Sequence, residues 1–242
     1  MRYLALAADY DGTLAHDGRV DGATVKALVR LRESGRRLVL VTGRELDDLA
    51  AVFPRLDLFD RVVAENGALL YRPSTKEEKA LAEPPPPAFL ERLRGLGVRP
   101  LGVGRVIVAA REPHEGAVLE AIRDLGLELH VIFNKGAVMV LPSGVNKATG
   151  LAAALEELAL SPHNVVGVGD AENDHAFLRL CGCAVAVAYA LPALKEASDA
   201  VTRASHGAGV AELIAELIET DLRGPDAKLT RPGRSGAAPG QS

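Results

Sequence analysis

Along the first third of the chain, short apolar runs alternate with segments whose apolar residues recur at helical spacing. Runs of strand length occupy 3–8, 38–41 and 62–64, and they end at Asp9, Thr42 and Glu65. Between the first two, Asp21 stands as a helix N-cap ahead of Val25, Leu28, Val29 and Arg32, and Gly35 supplies the stop. A short helix is predicted over 45–53, halted near Pro54. The alternation returns late in the chain. A helix over 146–160 precedes a strand over 165–168 that ends in Gly169-Asp170; a helix over 172–180, a strand over 184–187 and a closing helix over 208–218 follow. Near-continuous apolar strands separated by helices predict an α/β fold: a doubly wound, Rossmann-like parallel sheet covered on both faces.

The middle breaks this rhythm. Glu83 is followed by Pro84, Pro85, Pro86 and Pro87, which cannot continue a helix or a central strand. Beyond it the pattern predicts a helix over 89–96, a strand over 105–110, a helix over 114–125 and strands over 127–133 and 138–141, with Asn134 and Lys135 in the hairpin turn. These strands alternate apolar and polar residues as half-exposed antiparallel strands do. The expected organisation is a core from 1–71 and 144–221 with a small α+β cap inserted over 72–143. From 222 onward, Gly, Pro, Ser and Ala dominate with almost no apolar anchor, and a disordered tail is expected, either a terminus or a linker.

Composition narrows the classes of function. The 242 residues are 48% hydrophobic and 25% charged, which is ordinary for a globular chain. Lys and Arg number 28 against 32 Asp and Glu, a net charge of −4, so no global field favours nucleic acid or an anionic membrane. Aromatics are 4% and Trp is absent, which argues against recognition by base stacking. No apolar run approaches the ~20 residues of a membrane span, and the stretch before Asp9 is too short for a signal peptide. Cys181 and Cys183 suit neither a disulfide framework nor a four-ligand zinc site. They read as packed small groups in a reducing cytoplasm. Monomer and homodimer are not separated by the sequence.

Four polar clusters carry the candidate chemistry. In Asp9-Tyr10-Asp11-Gly12-Thr13 the strand ends and Gly12 frees the backbone to turn, so both acids project from the carboxyl edge of the sheet. One ionised Asp there can attack as a nucleophile while the other serves as general acid and then base; the plain alternative is an Asx-rich turn. In Thr42-Gly43-Arg44 a hydroxyl and free backbone N–H groups ahead of a helix form an anion site, to which Arg44 adds a guanidinium fork; strand-Thr-Gly is also a common turn. Lys147 opens a helix, where a positive charge is unfavourable unless an anion compensates; a solvent-facing Lys is the alternative. In Gly169-Asp170-Ala171-Glu172-Asn173-Asp174 the acids at 170 and 174 fall near one side of a first helical turn. Their hard oxygens suit Mg²⁺, while N-capping explains one acid and leaves the others. A parallel sheet brings its strand ends to one crevice, so the four clusters are expected to meet, as phosphoryl transfer to a carboxylate requires.

The order DYDGT, VTGR, a Lys opening a helix and GDAEND resembles the haloacid dehalogenase superfamily. The cap between the second and third motifs, Glu65-Asn66-Gly67-Ala68 and the GVNKATGL stretch resemble its subclass II, the Cof-like branch. The resemblance implies an aspartyl-phosphate mechanism with Asp9 as nucleophile and Asp11 as general acid and base. It implies that Thr42, Gly43 and Lys147 hold phosphoryl oxygens, and that Mg²⁺ is bound by Asp9, Asp170 and the backbone carbonyl of Asp11. Asp174 would support the metal through water, and Asn173 would contact the phosphate or orient Lys147. An acid at the place of Asp11 favours a phosphatase or phosphomutase over a dehalogenase. Ala171-Glu172 departs from the Gly-x of many members.

A small cap suggests a compact substrate: a phosphorylated sugar, polyol or hydroxy acid. Arg44, Glu65 and Asn66 are its candidate contacts from the core, whereas Arg105 and His130 read as exposed strand residues. A Mg²⁺-dependent phosphatase of small phosphorylated metabolites is the leading reading. A phosphomutase or phosphotransferase of the same mechanism, a receiver-type signalling domain and a regulatory module tethered through the tail are alternatives.

Overall fold

The apolar run before Asp9 is the centre of the molecule. The computed structural model describes residues 1–134, 136–223 and 229. The chain runs β1 (Ala5–Asp9), α1 (Gly22–Glu33), β2 (Arg37–Val41), α2 (Leu46–Val52), β3 (Arg61–Ala64), β4 (Leu69–Arg72) and β5 (Glu77–Ala80). Then come α3 (Pro87–Gly95), β6 (Gly102–Val103), β7 (Val108–Arg111), α4 (Glu115–Asp124), β8 (Leu129–Asn134) and β9 (Ala137–Pro142). The last part is α5 (Lys147–Glu157), β10 (Val165–Gly169), α6 (His175–Leu180), β11 (Cys183–Ala186), α7 (Pro192–Ala197), β12 (Ala200–Val201) and α8 (His206–Thr220). The large sheet has the order β12-β11-β10-β1-β2-β3-β4-β5. Its neighbours from β12 to β3 pair parallel, whereas β4 and β5 are antiparallel. Every residue of β1 and β10 is buried, as strands covered on both faces should be.

The helix signals act where the sequence placed them. Asp21 accepts a hydrogen bond from Thr24 N at 2.7 Å and starts α1, and Gly35 closes it with φ 85°. Asn146 caps α5 through Ala148 N and Thr149 N, so the helix opens on Lys147.

Three expectations shift. The insert, expected from 72, overlaps β5, which is hydrogen-bonded to β4 in the large sheet. The cause is local: Glu65, Asn66 and Gly67 carry φ of 52°, 56° and 105°, and three left-handed residues in a row turn β3 straight back into β4. The strand expected over 105–110 is instead β7 alone. The N–H groups of 105–107 bond to the Glu65 carboxylate, not to a neighbouring strand. The helix expected from 172 starts with a single 3-10 turn, Glu172–Asp174. β4, β5, α7 and β12 lacked a clear pattern in the sequence.

The smaller sheet, β6-β7-β9-β8, is antiparallel throughout. It packs on α3 and α4 around Phe89, Leu93, Val118 and Val138. A separate cluster of Ala68, Val106, Ile107, Met139 and Val145 joins residues beside the large sheet to residues of the small one. Lys135 lies outside the described residues, and Asn134 ends β8. Most of the expected disordered tail also lies outside them; within it, Leu222 and Leu229 pack on the main core.

α8 ends at Asp221, whose backbone is left-handed at φ 55°. Its carboxylate accepts from Arg2 N, from Tyr3 N at 3.2 Å and from Arg36 Nη2 at 3.1 Å. Burial opposes the charge, but these bonds outweigh it and hold Asp221 below the usual carboxylate range. Asp221→Asn is expected to lower the unfolding free energy by about 1–2 kcal/mol at neutral pH in urea titrations. Because the folded-state pKa is depressed, the contribution is complete above the unfolded value of ~3.9 and is lost as pH falls through the folded one. The gap between variant and wild type is therefore expected to close in acid.

Candidate active site

The register of the parallel strands fixes where the polar clusters emerge. Asp9 stands opposite Val41 and Ala8 opposite Val168, so Thr42 and Asp170 leave the sheet at the same edge as Asp9. Gly12 turns the chain there with φ 94°, and a Cβ on it would lie 2.3 Å from Asp170 Oδ2. Lys147 reaches this edge because α5 starts against Gly67, where a Cβ would meet the Asn146 carbonyl oxygen at 1.9 Å.

The Lys147 ammonium donates to Asp9 Oδ1 at 2.6 Å and to Asp174 Oδ1 at 2.7 Å, and all three side chains are buried. Asp174 Oδ2 accepts from the backbone N–H of Asp170 at 2.8 Å and of Ala171 at 3.0 Å. Thr13 Oγ1 donates to Asp170 Oδ1 at 2.9 Å. Burial pushes the Asp9 carboxyl well above its usual range, and the charges of Asp174 and Asp170 add to that against the opposing Lys147. Burial would lower Lys147, but Asp174 and Asp9 outweigh it and keep it protonated.

Carboxylate oxygens of Asp9, Asp170 and Asp174 lie within 4.8 Å of one another. Hard oxygen donors with more negative charge than one ammonium offsets fit a divalent cation such as Mg²⁺. Both oxygens of Asp174 are engaged by N–H donors and Lys147, so Asp174 orients its neighbours while Asp9 and Asp170 are the better-placed ligands.

A cavity of about 560 Å³ opens over this edge. Asp9, Asp11, Gly43, Arg44, Lys147 and Asn173 line it from the core side, and Ile107, Ala109, Arg111, Asn134, Ala137 and Met139 from the small sheet. Thr42 is buried at the end of β2, and its hydroxyl accepts from Arg44 N at 3.1 Å, leaving its own hydrogen to donate.

Three expected substrate contacts have other partners. Arg44 donates to Asp11 Oδ2 at 2.7 Å, Asp11 Oδ1 at 2.8 Å and Asp48 Oδ2 at 2.5 Å; two nearby carboxylates occupy its fork. Glu65 and Asn66 do not line the cavity. The Glu65 carboxylate accepts from Arg105 N, Val106 N and Ile107 N at 2.8, 2.8 and 2.9 Å. Asn66 bridges Asn173 Nδ2 at 3.1 Å and Met139 Sδ at 3.5 Å. Both residues tie the core to the small sheet. Arg105 and His130 also stay out of the cavity: Arg105 pairs with Asp47 and Glu78, and the His130 ring bonds the Pro142 carbonyl.

Sequence reasoning gave no role to Thr13, which was visible inside the DYDGT motif, or to His206, which was not visible at all. The His206 ring nitrogen Nδ1 donates to the Gly12 carbonyl at 2.7 Å from a backbone with φ 52°, bracing the loop of Asp11. Cys181 and Cys183 are free thiols, and burial pushes Cys181 up to about 12, as inert packing requires.

The family described as haloacid dehalogenase-like hydrolase matches residues 6–88 and 103–214. A phosphoglycolate phosphatase of Methanothermobacter thermautotrophicus is 34% identical over 88% of this chain and 98% of its own. One of Haloarcula marismortui is 36% identical over 87% and 95%. A solved haloacid dehalogenase-like hydrolase from Bacteroides thetaiotaomicron superposes with a TM-score of 0.76 at 21% identity, over 89% of this chain and 99% of that one.

A neutral side chain at 65 has one acceptor oxygen for three N–H donors. Glu65→Gln is expected to speed hydrogen exchange at the amides of 105–107 roughly tenfold, read by mass spectrometry. Exchange unchanged there would deny Glu65 its tying role.

Proposed function

The chain belongs to the haloacid dehalogenase-like hydrolases, and on that premise we propose that it is a Mg²⁺-dependent phosphatase of small phosphorylated metabolites, with 2-phosphoglycolate as the first candidate substrate. The observation that carries this reading is the Lys147 ammonium held between Asp9 and Asp174, with Asp170 beside them, at the floor of the cavity. Curated relatives named phosphoglycolate phosphatase support the substrate. The two free thiols fit the cytoplasmic setting proposed for it.

In this reading a carboxylate oxygen of Asp9 attacks phosphorus and the ester P–O bond breaks. Asp11, held as a carboxylate by Arg44 in this structure, leaves that pair, takes up a proton from solvent, turns to the leaving oxygen and gives the proton to it. Asp11, now a carboxylate, then takes a proton from water; that water oxygen attacks phosphorus, the P–O bond to Asp9 breaks, and phosphate leaves. Lys147, the Thr42 hydroxyl and the Gly43 N–H hold phosphoryl oxygens. Asp9, Asp170 and the Asp11 carbonyl would hold Mg²⁺, which supplies Lewis-acid neutralisation of the charge between carboxylate and phosphoryl group.

Phosphate release from a panel of small phosphate esters, 2-phosphoglycolate included, is expected with Mg²⁺ and lost on chelation. Asp9→Asn is expected to lower turnover by roughly a thousandfold or more, and Lys147→Met by roughly 100- to 1000-fold. Release that survives both chelation and Asp9→Asn would overturn the reading.

A further inference from the structure

Among the described residues three cations line the cavity, and two of them are paired with carboxylates. Lys147 is held by Asp9 and Asp174, and Arg44 by Asp11 and Asp48. Arg111, at the end of β7, has no carboxylate partner among the described residues, although it lines the same cavity. Arg111 is exposed on the cavity wall, and a guanidinium there with no carboxylate of its own is suited to an anion that arrives with the substrate.

The register of the small sheet gives that anion a place. Arg111 stands opposite Ala137, and Ala137 opposite Asn134. Residues directly opposed across strands leave the sheet on the same face, so the three form one row, with Ala109 and Met139 opposed in the next row on that face. All five line the cavity. Ala137 carries only a methyl group, which leaves a gap between the two longer side chains. On its far side Asn134 Oδ1 is buried without a hydrogen-bond partner among the described residues. Asn134 itself lines the cavity, and its amide carries N–H groups of the kind that donate to a carboxylate.

We infer that Arg111, with Asn134 across Ala137, is a specificity site for a carboxylate on the substrate, so that the enzyme selects phosphate esters of short hydroxy acids over neutral esters of equal length. The inference rests on the phosphatase reading. The phosphoryl end lies on Asp9 and Lys147 at the sheet edge, and the acid end lies under the small sheet. Such a substrate is a dianion or trianion joined by a short chain, and the cavity receives its two ends on separate cations.

The test compares 2-phosphoglycolate with 2-hydroxyethyl phosphate, which has a neutral alcohol in place of the carboxylate. Wild type is expected to favour the acid. Arg111→Ala is expected to lower the ratio of the two kcat/KM values by about 10- to 100-fold, chiefly through KM for the acid. Arg111→Lys should keep part of the preference, and Ala137→Leu, which fills the gap and leaves the charge in place, should also lower the ratio. Thermal melts check that each variant is folded. An unchanged ratio in Arg111→Ala, or a wild-type preference for the neutral ester, overturns the inference. A wild-type enzyme that cleaves neither ester but releases phosphate from others overturns it and keeps the phosphatase reading. Silence over the whole panel overturns the reading beneath it.

Discussion

Three buried carboxylates converge on one sheet edge, and the Lys147 ammonium sits between two of them. Left alone, such a group would repel itself apart or take up protons, because desolvation raises the cost of each charge. Lys147 removes part of that repulsion, and the N–H groups of Asp170 and Ala171 stabilise Asp174. Asp9 and Asp170 set further hard oxygens at the same edge. A site built with surplus negative charge and hard oxygens is prepared for a divalent cation, and with it for the anionic group that must approach Asp9. Breaking a buried pair of this kind typically costs ~3–5 kcal/mol, so the surrounding sheet has to be rigid enough to hold it. The fully buried β1 and β10 provide that rigidity.

The second constraint is the junction between the two sheets. Glu65 reaches across it with one carboxylate for three backbone N–H groups, Asn66 joins Met139 to Asn173, and Arg105 pairs with Asp47 and Glu78. The same turn that reverses β3 into β4 therefore sets the distance between the catalytic edge and the face that covers it. Ile107, next to the Glu65 anchor, and Met139, next to Asn66, both line the cavity. The shape of the cavity is thus linked to bonds made by residues that do not touch its interior.

Much of this was legible in the residues. Asp21, Gly35 and Asn146 announce helix ends because capping is local chemistry. Asp9, Lys147, Asp170 and Asp174 could be brought together from sequence because a parallel sheet gathers the ends of its strands. The functions of Glu65 and Arg44 were less accessible. The partners of Glu65 lie about forty residues further on, and although Asn66-Gly67 marks a left-handed turn, nothing in the sequence extends it back to Glu65 itself. Arg44 next to a Thr-Gly turn reads as an anion site, yet Asp48 one helical turn away and Asp11 from another strand take its fork first. Nothing in the sequence singles out Arg111, since only the pairing of β7 with β9 and β9 with β8 carries it over the cavity. Sheet register decides that placement, and register is a property of contacts distant in sequence.

The most direct test of the charged edge is to stop the reaction while the phosphoryl group is on the protein. In a rapid acid quench of the enzyme turning over 2-phosphoglycolate with Mg²⁺, followed by peptide mass spectrometry, one phosphoryl group is expected on the peptide that carries Asp9. It should form and decay at rates compatible with steady-state turnover. Phosphoryl transfer to any other residue, or full turnover with Asp9 never modified and oxygen from water passing to phosphate in a single step, would contradict the arrangement of Asp9, Lys147 and Asp170 described above.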